Sequence, residues 1–104
     1  MSSMAAFVVC GSSMAPALAD GDVVLTRKPR AALDPGEVIA YRDPWLGHVV
    51  VHRVARSGGE LVWTAGDASG CADGYAVPAR SVIGKVWMVI PRLGRLVRLL
   101  KRWP

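Results

Sequence analysis

The sequence predicts a mostly β fold, a single domain of short strands with one helix at its C-terminal end. Three observations lead there. Apolar runs of five to nine residues recur between clusters of Gly, Pro, Asp and Ser. No helical periodicity separates them before residue 92. Finally, 52% of the 104 residues are hydrophobic and 20% charged. That is enough apolar side chain for one core, and too apolar for a disordered chain.

The elements follow in order. Residues 6–10 (AFVVC) form an apolar run that stops at Gly11. Residues 14–20 read as a turn or short helical piece, opened by Ser and interrupted by Pro16. Residues 22–27 (DVVLTR) and 37–41 (EVIAY) read as strands, separated by a loop over 28–35 and closed by Asp43-Pro44. Residues 47–55 (GHVVVHRVA) form a longer strand. Ser57-Gly58-Gly59 is a turn, and residues 60–64 (ELVWT) complete a hairpin. Residues 66–75, rich in Gly, Asp and Ala, read as a loop. Residues 82–90 (VIGKVWMVI) are the last strand, with Gly84 a candidate bulge. Pro91 ends it. Strands in this number without helices between them argue for a β barrel or folded sheet.

The charge is unevenly placed. Residues 1–91 carry eight basic and eight acidic side chains, so the formal +5 lies entirely in residues 92–104. The expected division is therefore a β domain over 1–91 and a basic amphipathic helix over 92–104. On a helical projection Leu93, Leu96, Val97, Leu99, Leu100 and Trp103 share one arc, and Arg95, Arg98, Lys101 and Arg102 the other. Such a helix suits an anionic membrane surface. The bland alternative is that its apolar face packs on the body. Nucleic acid is not an expected partner, because the body interleaves no basic and aromatic residues. No apolar run reaches the roughly 18 to 20 residues of a membrane span. No basic residue precedes the apolar run at residues 5–9, so no export signal is visible. Cys10 and Cys71 match no metal motif, and two free thiols are favoured over a disulfide.

Candidates for chemistry are few. In residues 47–55, period-two alternation puts His48, Val50, His52 and Val54 on one face. A histidine there is either a satisfied, half-buried side chain or a general base. Ser13 follows an apolar strand, with Gly11 before it and Pro16 after it. It is either an ordinary turn serine or a nucleophile held at a strand end beside free backbone N–H groups. Asp67 and Asp73 are each either a turn-capping residue or the group that orients an imidazole.

Taken together, these segments change the reading. The chain resembles the type I signal peptidases, in the Ser-His-Asp branch found in archaea, spore-forming bacteria and the endoplasmic reticulum. Gly11-Ser12-Ser13-Met14-Ala15-Pro16 resembles the nucleophile box, and Gly21-Asp22-Val23-Val24 the next. Pro35-Gly36-Glu37-Val38-Ile39 is similar to the family's Pro-Gly-Asp-Val-Ile strand. Val51-His52-Arg53-Val54 matches its His-Arg-Val box. Gly66-Asp67 followed by Asp73 resembles the Gly-Asp-Asn box. Val82-Ile83-Gly84-Lys85-Val86 and Ile90-Pro91-Arg92-Leu93-Gly94 match the closing strand and its exit.

The resemblance implies a mostly β serine endopeptidase that cuts leader peptides after small residues, typically Ala-x-Ala. It implies Ser13 as nucleophile, His52 as base and Asp73 as its partner, with Asp67, Gly11 and Met14 in support. Gly11 stands where some relatives carry a serine that helps the oxyanion hole, leaving backbone N–H groups, including that of Ser13. Neither the residues nor the resemblance calls for a metal or cofactor. The expected partners are a preprotein or peptide substrate and, through Leu93, Leu96, Leu100, Trp103, Arg95 and Arg98, an anionic membrane. The expected location is peripheral on a membrane, with the site extracytoplasmic as in the family. Two other readings stay open: a maturation protease for one precursor, and a non-catalytic adaptor on the same scaffold.

Overall fold

The β-branched runs of the chain set its strands. The computed structural model describes residues 4–101. Seven strands form one antiparallel sheet: β1 (Ala5–Val8), β2 (Val23–Arg27), β3 (Val38–Arg42), β4 (Val49–Gly58), β5 (Leu61–Ala65), β6 (Ala72–Pro78) and β7 (Val82–Ile90). Their spatial order is β1-β2-β7-β3-β4-β5-β6. The last strand in sequence is therefore the middle of the sheet: β7 joins the β1–β2 pair to the β3–β6 meander. A single 3-10 turn at Ala79–Ser81 leads into it, and helix α1 (Leu93–Lys101) follows it.

Two cores form, one in each part. Val9, Met14, Leu18 and Val24 make one, supported by Phe7, Val38, Val51 and Val86. Ile39, Tyr41, Val54, Val62 and Val77 make the other. Burial of Val, Ile and Met side chains at about 25 cal/mol per Å² of apolar surface is the main stabilising term.

The structure differs from the sequence reading in three places. Residues 72–75 are strand, not loop. The Gly, Asp and Pro of ADGYAVP signal a turn locally, but pairing with β5 (Leu61↔Pro78, Val62↔Val77, Trp63↔Ala76) overrides them. Strand β4 runs on to Gly58, so the hairpin turns at Gly59 and Glu60. Finally, the bulge expected at Gly84 falls on its neighbours. Leu25 and Thr26 face Met88 and Val86, leaving Trp87 extra, and Ala40 and Tyr41 face Gly84 and Val82, leaving Ile83 extra.

Helix α1 is seated on the β1–β2 corner. The Arg92 N–H donates to Asp22 Oδ1 (3.1 Å) and the Gly94 N–H to the Gly21 carbonyl (2.7 Å). A Cβ at Gly94 would stand 2.5 Å from a Val8 methyl, so only glycine admits this contact. Beyond it Leu96, Leu99 and Leu100 are exposed. No helix among the described residues is long and apolar enough to cross a membrane. Trp103 and Arg102 lie outside the described residues.

Candidate active site

Ser13 lies between β1 and β2, on the turn that follows Val9. Gly11 takes φ +88°, a conformation that costs other residues energy, and its N–H donates to Asp20 Oδ1 (2.9 Å). The turn closes through Ala15 N–H to Ser12 O (3.0 Å) and Leu18 N–H to Met14 O (2.9 Å). Met14 is 1% exposed and packs among Val9, Leu18 and Val24. It anchors the turn from below, while Ser13 remains exposed.

The other side of the site is built on strands. His52 pairs with Ile39 across β3–β4, and its ring stands edge-on to the buried Tyr41, 6.5 Å between centroids. Burial, the largest cause, and a contact with the Tyr75 hydroxyl push the Tyr41 phenol up, so it stays protonated. His52 Nδ1 lies 2.8 Å from Asp73 Oδ2, and Nε2 lies 3.2 Å from Ser13 Oγ. A carboxylate only accepts, so Nδ1 carries the hydrogen and Nε2 presents its lone pair to the serine hydroxyl. The His52 and Asp73 side chains are 15% and 20% exposed. They are shielded enough for the pairing to be felt, yet open on the serine side.

Asp67 is not in this line. Its two oxygens accept from Arg53 Nε and Nη2, both at 2.8 Å, and Arg53 Nη1 donates to the Gly36 carbonyl (2.8 Å). Arg53 holds the Asp67 carboxyl below the usual carboxylate range, and Asp67 in turn raises Arg53. The pair ties the 66–71 turn to β4. That turn then reaches Ser13, because the Ala68 N–H donates to the Ser13 carbonyl at 2.9 Å.

Two contributors were missed from sequence. A Cβ on Gly66 would lie 2.7 Å from Ser13 O and 3.3 Å from His52 Nε2, so the absence of a side chain there lets serine and histidine meet. Thr64, fully buried, donates its hydroxyl to Asp73 Oδ2 at 2.7 Å. The Gly66-Asp67 box signalled the first. Nothing local signalled the second, which depends on cross-strand register.

A cleft of about 350 Å³ leads to Ser13 between Val8, Val9 and Cys10 on one side and His48, Val49, Val50 and Val51 on the other. A groove of similar size, about 360 Å³, is lined by Arg27, Lys28, Arg30, Glu37, Lys85 and Trp87 among others, but it holds no nucleophile beside a base. Cys10 and Cys71 are free and exposed. In α1, Leu93 is half-buried and Leu96 and Leu100 are exposed, while the side chains of Arg95 and Arg98 lie outside the description.

No protein-family model matches the chain. It is 32% identical, over 105 aligned positions, to the signal peptidase complex catalytic subunit of Yarrowia lipolytica. The match covers 89% of this chain and 61% of that protein, so the chain spans about three fifths of its relative's length. That likeness supports the type I signal peptidase resemblance read from the sequence.

Proposed function

We propose that the chain is a serine endopeptidase that removes leader peptides after small residues. The observation that carries this reading is the unbroken line Ser13 Oγ, His52 Nε2, His52 Nδ1, Asp73 Oδ2, with contacts of 3.2 and 2.8 Å. His52 takes the Ser13 proton as the hydroxyl attacks the peptide carbonyl, and Asp73 stabilises the imidazolium. The imidazolium then gives its proton to the leaving amine. Water, activated by the same histidine, frees the acyl group from Ser13. The Gly11 N–H is committed to Asp20, so the Ser13 N–H is the donor assigned to the oxyanion.

The substrate lies extended in the cleft along the free edge of β1, where main-chain pairing gives affinity and the cleft walls select side chains. Residues 1–91 act as the catalytic domain and 92–104 as its attachment. The exposed Leu96, Leu99 and Leu100 enter an anionic interface, which makes the protein peripheral on a membrane.

The test is cleavage, in mild detergent, of a leader peptide ending in Ala-x-Ala. The wild type should cut after the small residue, and Ser13→Ala and His52→Ala should each be inactive. Equal cleavage by wild type and Ser13→Ala would rule the mechanism out. Inactivity of the wild type on unrelated leaders, with cutting of one precursor, would mark a specialised maturation protease.

A further inference from the structure

Asp73 reaches His52 from an unexpected place. It sits on β6, an edge strand, whereas His52 is on β4, with β5 between them. The ladder between β5 and β6 breaks at this point. Trp63 pairs with Ala76 and Ala65 with Ala72, so Asp73, Gly74 and Tyr75 together face Thr64 alone. A bulge of this kind bends its strand and re-aims a side chain. Here the re-aimed side chain is Asp73.

A carboxylate on a bulged edge strand is not fixed by its backbone. Its terminal torsion is broad, and Asp73 is 20% exposed, so water competes for its oxygens. Two donors hold it, and both choose the same atom: His52 Nδ1 at 2.8 Å and Thr64 Oγ1 at 2.7 Å from Oδ2. Thr64 is suited to hold it. It is 0% exposed, it is β-branched and so stiff about χ1, and it lies on a strand paired on both sides, opposite Val54. A threonine hydroxyl has one proton to give, and this one goes to Asp73.

We propose that Thr64 is a positioning residue of the peptidase reaction, fixing the Asp73 carboxylate so that His52 keeps its hydrogen on Nδ1 and its lone pair on Ser13. The proposal rests on the peptidase reading above. Thr64 touches no substrate and moves no proton. Its hydroxyl also bears on the Tyr41 phenol, so the Asp73→Asn background is what separates an effect through Asp73 from one through Tyr41.

The experiment measures kcat and KM of the full chain on the Ala-x-Ala leader peptide. Rates are normalised to folded protein by circular dichroism. The variants are Thr64→Val, which keeps the shape and removes the donor, Thr64→Ser, which keeps the donor, and Thr64→Val combined with Asp73→Asn. A hydrogen bond to a charged group predicts a fall in kcat of about 10- to 100-fold for Thr64→Val, with KM little changed. Thr64→Ser should stay within about threefold of wild type. In the Asp73→Asn background, Thr64→Val should cost almost nothing more, because the group it acts through is gone. Wild-type kcat in Thr64→Val, or the full additional loss in the Asp73→Asn background, overturns the proposal. So does a loss in Thr64→Ser as large as in Thr64→Val. Ser13→Ala is the separate control: a variant as active as wild type removes the peptidase reading, and this proposal with it.

Discussion

The β1–β2 part and the β3–β6 part of the molecule hold their share of the site by different means. Ser13 sits on a turn with no ladder hydrogen bonds of its own. Its position comes from Met14 plugged into a core below and from one hydrogen bond to Ala68. His52 sits on a strand whose register places it, while Asp73 sits on the bulged part of β6 and is held by His52 and Thr64. Ser13 is thus placed by packing and His52 by hydrogen-bond pairing. Packing tolerates little loss of volume, whereas register survives many side-chain changes so long as the inward face stays apolar.

That contrast can be tested, from the largest effect down. Asp73→Asn should lower kcat on the order of 10³-fold or more while leaving the unfolding midpoint nearly unchanged, since it removes the charge and keeps the shape. Met14→Ala should lower the unfolding free energy by about 2–5 kcal/mol in chemical denaturation, and should also slow the folded fraction, because Ser13 rides on that side chain. Its counterpart Val62→Ala, in the other core, should cost about 2 kcal/mol with kcat per folded molecule retained. Equal kinetic damage from both would end the distinction. Gly66→Ala should lower kcat by about 10- to 100-fold, because the Ser13 carbonyl must retreat from the new methyl group.

The smallest effect is on pH. Asp67 and Glu37 are both held below their ordinary values, first by Arg53 and by Lys85 respectively. A lowered carboxylate contributes stability that is present above its unfolded value and lost as pH falls through the folded one. The loss should therefore begin below about pH 4.5 for Glu37 and 3.8 for Asp67. Each pair is open to solvent and is worth only about a few tenths of a kcal/mol, so the unfolding midpoint should move little and the movement should shrink in salt. Arg53→Gln should abolish the Asp67 part.

How much of this could be read from sequence follows the same division. Strands dense in Val and Ile, such as 22–27 and 82–90, announce themselves, because a half-buried pleated surface wants those side chains. ADGYAVP does not, since its strand conformation is imposed by β5. The candidate trio was legible because its residues stand in recognisable boxes. Met14 follows Ser13 in its box and is more often packing in such a place, and the structure seats it in the core. Thr64 carried no local mark at all. What makes it matter is a bulge two strands away from His52, and such a relation exists only between strands.

The position of β7 has a further consequence, for synthesis rather than catalysis. Ser13 and His52 are 39 residues apart in sequence, yet in the sheet ladder only residues 82–90 connect their two parts. Non-local pairing of this kind is slow, because loop-closure entropy is spent before any contact offsets it. The strand that joins the Ser13 part to the His52 part in the sheet is also the last of the seven to be synthesised. Strand order thereby makes the joining of the two parts a late event of synthesis.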